Sequence, residues 1–186
     1  MDPIIYGDYP FSMRSIVTPK INLKNRLNLL LIKTSVHDIN LRSLFFPASR
    51  NGILIGPQEA SSELHVYPRG LRDLLLYVKE KYNNPLVYIT ENGIDEFNNA
   101  SLPLEQALKD PMRIDYYHRH LLFLERAIKE GVNVKGYFAW SLLDGFEWSS
   151  GYTVRFDINF VDYKNGNKRY PKQSAIWFKN FLQKLE

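Results

Sequence analysis

The chain has 186 residues, 45% of them hydrophobic, and sets 24 Lys and Arg against 20 Asp and Glu for a formal charge of +4. That near balance, with no basic stripe interleaved with aromatics, argues against a nucleic-acid partner, and no run of about 18 apolar residues marks a membrane span. Zero cysteines exclude a disulfide framework and a Cys-ligated metal site, while His37, His65, His118 and His120 show no metal-ligand spacing.

In chain order, a short Pro- and aromatic-rich stretch runs from Asp2 to Arg14, and then the pattern breaks. From Val17 to Phe46 the aliphatics Leu27, Leu29, Leu30, Leu31 and Ile32 stand almost together, with Lys20, Lys24, Arg26, Lys33 and Arg42 against one acid, Asp38. No element is assigned there. Leu71, Leu74, Leu75 and Val78 then recur at helical spacing and predict an amphipathic helix from Gly70 to Tyr82.

A strand is expected at 86–91. Pro85 opens it, Leu86-Val87-Tyr88-Ile89-Thr90 are uncharged and mostly of high β-propensity, and Asn92-Gly93 permits an abrupt turn. Period-2 alternation places Val87, Ile89 and Glu91 on one face. A carboxylate delivered to the C-terminal tip of a buried strand is either held by partners or used, and that tip is where a barrel enzyme keeps its chemistry.

Beyond the turn, Asp110 is expected to cap a helix that Pro111 opens and Gly131 ends, burying Ile114, Tyr117, Leu121, Leu124 and Ile128. Val134 to Ser141 reads as the next strand, with Gly136 marking a close approach and Trp140 pointing the same way as Val134 and Phe138. Tyr152 to Tyr163 with the Asn165-Gly166 turn reads as a β-ribbon, and Ser174 to Lys184 as a last helix in which Ile176, Trp177 and Phe178 pack.

The second strand runs into Trp140-Ser141-Leu142-Leu143-Asp144-Gly145-Phe146-Glu147-Trp148, a mixture of aromatics and acids suited to sugars. The C–H face of a pyranose packs on an indole, and carboxylates accept hydrogen bonds from vicinal hydroxyls. The motifs Ile89-Thr90-Glu91-Asn92-Gly93 and Trp140 to Trp148 resemble the family 1 glycoside hydrolases, the retaining β-glucosidases, and among these the plant branch. The likeness continues through Arg113-Ile114-Asp115-Tyr116-Tyr117, Gly151 to Phe156, Phe160-Val161-Asp162-Tyr163 and Lys168-Arg169-Tyr170-Pro171-Lys172.

The resemblance implies an α/β fold, a partial (β/α)₈ TIM barrel holding roughly the last two to three strand-helix units, because a whole barrel needs roughly 250 residues. Three stretches are expected: 1–16, a short match to the interior of the family barrel; 17–65, divergent or poorly ordered; and 66–186, the C-terminal part of the barrel. The likeness is thus to a C-terminal fragment. The family's Asn-x-Tyr strand end has no counterpart between Met13 and Glu63.

Retaining glycosidases use two carboxyl groups about 5–5.5 Å apart, one a nucleophile and one a proton donor to the leaving oxygen. The resemblance implies that Glu91 is the nucleophile, that Trp140 is the platform under the glucose ring, that Glu147 and Trp148 bind its hydroxyls, and that Phe156 lines the site. It implies a β-glucoside substrate and neither metal nor organic cofactor. The family's acid/base follows an Asn in an Asn-Glu-Pro motif, and no Asn-Glu pair occurs in these residues. Glu96, on a loop expected to be mobile, and Glu147, assigned to the sugar, are poor substitutes.

The chain is therefore expected to be inactive alone and to self-associate through exposed half-barrel faces. One alternative is a sugar-binding or interaction remnant without catalysis, and the other is a half-barrel active only with a complementary N-terminal chain. Asp157, where the family usually has Gly, is expected to add a charge near the site mouth.

Overall fold

The computed structural model describes residues 29–33, 49–50, 53–58, 60 and 65–183. The 1–16 match and most of the 17–65 stretch lie outside them. In chain order the elements are β1 (Leu29–Lys33), β2 (Ser49–Arg50), β3 (Ile53–Leu54), α1 (Pro68–Lys81), β4 (Leu86–Asn92), β5 (Glu96–Phe97) and α2 (Leu104–Ala107). Next come α3 (Pro111–Lys129), β6 (Val134–Ala139), a 3₁₀ turn at Trp148–Ser150, β7 (Val154–Arg155), β8 (Asn159–Asp162), β9 (Lys168–Pro171) and α4 (Gln173–Gln183). Among the described residues no helix is long and apolar enough to cross a membrane.

A three-stranded sheet of order β1-β4-β6 is the centre of the fold, and β4 is parallel to both neighbours. Parallel strands need a crossover, and α3 supplies it between β4 and β6. The sequence assigned no element to Val17–Phe46, yet Leu29–Lys33 in that window forms β1 and extends the sheet.

The core lies between this sheet and the two long helices. Val87 and Ile89, both fully buried, meet Leu71, Leu75 and Val78 of α1 and Leu124 and Ala127 of α3. Each such aliphatic side chain contributes roughly 1.5–3 kcal/mol. Pro68 starts α1, where a missing N–H costs nothing, and Lys79 and Lys81 in its last turn suit the helix dipole. Gly131, at φ 86°, ends α3 as its position predicts.

Several expectations need correction. The buried stripe of α3 is Arg113, Tyr116, Tyr117, His120, Leu124 and Ala127, while Ile128 is 46% exposed. Hydrophobicity hides that stripe because half its members are polar and find partners inside. His120 is one of them, stacked on Tyr116 with ring centroids 3.8 Å apart, its Nδ1 2.8 Å from the Tyr116 carbonyl oxygen. Burial pushes its pKa down to about 4, so the ring is neutral at physiological pH.

In β6 the pairing slips by one residue near Lys135, so Tyr137 rather than Phe138 joins Val134 on the core side, and Phe138 is 56% exposed. Gly136 does mark a close approach, but to a side chain: a Cβ there would stand 2.5 Å from the Tyr88 ring. The expected ribbon divides in two. Val154–Arg155 pairs with Glu96–Phe97, and the hairpin is β8 with β9, closed by residues 163–167. In α4, Trp177 packs against Tyr117 and its neighbours and stacks on Phe181, whereas Ile176 is exposed.

Candidate active site

The parallel pairing of β4 with β6 brings their C-terminal tips together. The Trp140 N–H donates to the Asn92 carbonyl at 2.9 Å, and the Tyr117 hydroxyl donates to the Trp140 carbonyl at 3.0 Å. Gly93 is required at this junction, since a Cβ there would fall 1.8 Å from the Trp140 carbonyl oxygen. The Trp140–Ser141 peptide is cis. Glu91 and Trp140 therefore sit on adjacent strand tips at one end of the sheet.

Glu91 does not share the face of Val87 and Ile89. From Ile89 to Asn92 the strand advances three residues while β6 advances two, from Tyr137 to Ala139. This bulge re-aims the side chains at the strand tip. Asn92, 3% exposed, takes the helix-facing place, and half-buried Glu91 is turned off it.

The loop after β6 carries the remaining expected residues. Ile158 N–H donates to the Ser141 carbonyl at 3.0 Å and Asp144 N–H to the Asn159 carbonyl at 3.3 Å, so the loop returns to its start and brings the Phe156 segment back beside Trp140. Glu147 and Gly151 exchange two backbone bonds of 2.8 Å, with Trp148 at the apex of the turn they close. Glu147 and Phe156 are half-buried, and Trp140 and Trp148 are 36% and 73% exposed. Residues 140–158 thus form one unit based at the Glu91 tip.

Beneath this loop lies a buried ionic network that composition could not reveal. Arg113, fully buried, donates to Asp110 at 2.7 Å, to Glu96 at 3.1 Å and to the Arg155 carbonyl at 3.0 Å. Lys172 donates to Glu96 at 2.5 Å, and Arg155 donates to Asp144 and to the Val161 carbonyl. Glu96 is thus no mobile residue: it is paired in β5 and held by two cations. Burial would raise its pKa, but Arg113 and Lys172 outweigh burial and hold the carboxyl below its ordinary value. A carboxylate so held is no proton donor.

Asp157 is not at the mouth either. It is fully buried beside Asp144, and neither of its carboxylate oxygens meets a hydrogen-bond donor among the described residues. Burial and then the Asp144 charge push its pKa up, with Lys172 opposing. Two carboxyl groups so placed bond to each other only when one keeps a proton.

Glu91 and Trp140 thus share an end of the sheet, and the comparisons with known proteins agree with the sequence motifs. The profile of glycosyl hydrolase family 1 matches residues 53–186. The chain belongs to that family. It is 56% identical to Beta-glucosidase 12 of Oryza sativa subsp. indica over 99% of the chain, and 45% identical over 98% to the isoflavonoid 7-O-beta-apiosyl-glucoside beta-glycosidase of Dalbergia nigrescens.

Among solved structures of family 1 enzymes, a rice beta-glucosidase covers 70% of the chain at 53% identity with a TM-score of 0.68. The beta-glucosidase of Trichoderma harzianum covers 99% at 35% identity with a TM-score of 0.69. The chain spans only 41% of the rice curated relative and 28% and 44% of those two structures. Its small sheets and helices form a partial α/β arrangement, and the solved structures it matches are family 1 beta-glucosidases covered only in part.

Proposed function

We propose that the chain carries the nucleophile side of a retaining β-glucoside hydrolase site. Glu91 attacks the anomeric carbon, the glycosidic C–O bond breaks, and the leaving oxygen takes a proton from a general acid. Water then attacks the same carbon, giving up a proton to the conjugate base of that acid, and the ester to Glu91 is released. Trp140 serves as the platform for the sugar ring, Glu147 and Trp148 bind its hydroxyls, and Phe156 lines the site. The reading rests most on the adjacent parallel tips that bring Glu91 and Trp140 to one end of the sheet.

The general acid is the part no described residue supplies, since Glu96 is engaged by Arg113 and Lys172. Hydrolysis of an ordinary glucoside then calls for a proton donor contributed by a complementary polypeptide. A 2-deoxy-2-fluoro-β-glucoside with a dinitrophenolate leaving group needs no such donor and leaves the glycosyl ester on the nucleophile. Peptide mapping by mass spectrometry is expected to find that label on Glu91 and to lose it in Glu91→Gln. Saturable sugar binding with no label on Glu91 would overturn the hydrolase reading in favour of a non-catalytic sugar-binding protein.

A further inference from the structure

We propose that Asn92 is a positioning residue for Glu91, acting through a buried clamp with Tyr116 and Tyr137; this rests on Glu91 being the nucleophile. The Asn92 Nδ2 donates to the Tyr116 hydroxyl at 3.0 Å, and its Oδ1 accepts from the Tyr137 hydroxyl at 2.7 Å. One partner stands on α3 and the other on β6, so the amide ties β4 to the crossover helix and to the neighbouring strand at the residue after Glu91.

The clamp decides which way Glu91 faces. Without a bulge, alternation from Ile89 would carry Glu91 onto the buried face that Val87 and Ile89 occupy and turn Asn92 the other way. The extra residue appears on both sides of β4. Against β1, the strand advances two residues from Ile89 to Glu91 while β1 advances one, from Ile32 to Lys33. Both registers therefore slip where Asn92 enters the buried layer.

An amide suits that place. Tyr116 and Tyr137 are pushed far above the ordinary phenol value by burial, so both hydroxyls stay neutral and need hydrogen-bond partners where they stand. Asn92 offers one donor and one acceptor to two such groups. Leucine has the same size and neither function. Slipping the strand back would bury the Glu91 carboxylate and leave two hydroxyls unpaired, which fixes the phase of the strand tip more firmly than aliphatic packing alone.

The adjacent tyrosines of α3 divide the work. Tyr116 holds the β4 tip through the Asn92 side chain, and Tyr117 holds the β6 tip through the Trp140 carbonyl. One turn of one helix thereby sets the Glu91 carboxylate relative to the Trp140 ring.

The test compares Tyr137→Phe and Asn92→Leu with the wild-type chain and with Val78→Ala, a core truncation on α1 outside the clamp. Labelling of Glu91 by the dinitrophenyl fluoroglucoside is expected to slow on the order of tenfold to a hundredfold in the clamp variants, as misplacement by about an ångström does. Val78→Ala is expected to lower the melting midpoint and keep the wild-type labelling rate.

Equal labelling in Tyr137→Phe, Asn92→Leu and the wild type would overturn the clamp while leaving the nucleophile reading intact. A wild-type chain that takes no label counts against the nucleophile reading. The clamp is then read from the Glu91 side-chain ¹³C resonance, which is expected to move in Tyr137→Phe and Asn92→Leu but not in Val78→Ala. A resonance unmoved in the clamp variants would overturn it.

Discussion

Asp110 stands at the head of α3, but its carboxylate caps another helix. Its Oδ1 accepts the Ser174 N–H at 2.9 Å and its Oδ2 the Ser174 hydroxyl at 2.5 Å, at the first turn of α4. Pro111, next in the chain, has no N–H to offer, and the first N–H groups of α4 need acceptors. The same carboxylate receives Arg113 at 2.7 Å, so three parts of the fold meet on one buried acid.

Asp110→Ala is accordingly expected to cost more than an ordinary cap. It leaves a fully buried guanidinium short of a partner and Ser174 without an acceptor, a combination worth about 3–5 kcal/mol. Ser174→Ala, which removes one hydroxyl and spares the ion pair, is expected to cost about 1 kcal/mol. Urea denaturation of the two variants checks the order, and equal losses would show that Arg113 finds sufficient compensation from Glu96.

Self-association is the next expected outcome. Phe138, Leu142, Phe146 and Trp148 are 56%, 65%, 66% and 73% exposed on β6 and the loop after it. Four large apolar side chains this exposed within eleven residues favour association. Sedimentation velocity is expected to show a mass above 21.8 kDa that falls on dilution. Paired Phe146→Ser and Leu142→Ser substitutions are expected to shift it toward the monomer, and a sharp, concentration-independent monomer boundary in the wild type would contradict the expectation.

Much of the fold was legible because periodicity and punctuation agreed. Pro111 and Gly131 bound a helix, the apolar spacing from Leu71 to Val78 marked another whose start at Pro68 precedes the expected Gly70, and the 86–91 strand ended at its Asn-Gly turn. The α3 stripe was misread because its polar members are buried with partners, Arg113 on Asp110 and Glu96, Tyr116 on Asn92 and His120 on Tyr116, a property of the tertiary network that no hydropathy pattern carries. The direction of Glu91 was misread because a bulge adds a residue to β4 without altering composition. Asn92 gave no warning, since it is a polar residue where continued alternation allowed an exposed one. The ribbon was misread because the partner of Val154–Arg155 lies at Glu96–Phe97, far back in the chain. The three-way division of the chain and the separate roles of Trp140, Glu147, Trp148 and Phe156 stay as proposals that substitution can test.

Catalysis by the chain alone gives a direct test of the proton-donor argument. An aryl β-glucoside with a poor leaving group is expected to turn over slower than a complete family 1 enzyme by at least the 10²–10⁴-fold that general acid-base help is worth. Turnover is expected to rise when a polypeptide carrying the family's Asn-Glu-Pro strand is added, and to stay absent on that addition in Glu91→Gln. Turnover by the isolated monomer that Glu91→Gln abolishes would mean that a second carboxylate within these residues acts as the acid.

Asp157 makes stability fall as pH rises. Its folded-state pKa is pushed up to about 8, first by burial and then by Asp144, against an unfolded value near 3.9. The folded chain therefore holds this proton through the interval between those values while the unfolded chain releases it, and folding weakens with each step upward in pH until about 8. Glu96 acts at the other end: its pKa is lowered, so its contribution is present above about 4.3 and is lost as pH falls through the folded value. Asp157→Asn keeps the shape and removes the titration. Its melting midpoint is expected to match wild type near pH 5 and to exceed it near pH 8 by roughly 6 °C or more, the shift that a loss of about 3–4 kcal/mol makes in a chain of this size. Asp144, Glu147 and Lys172 face the same group, and they set the steepness of the wild-type curve. Parallel pH profiles for wild type and Asp157→Asn would show that Asp157 is ionised in the folded chain with a partner of its own, and the shared proton would have to be abandoned.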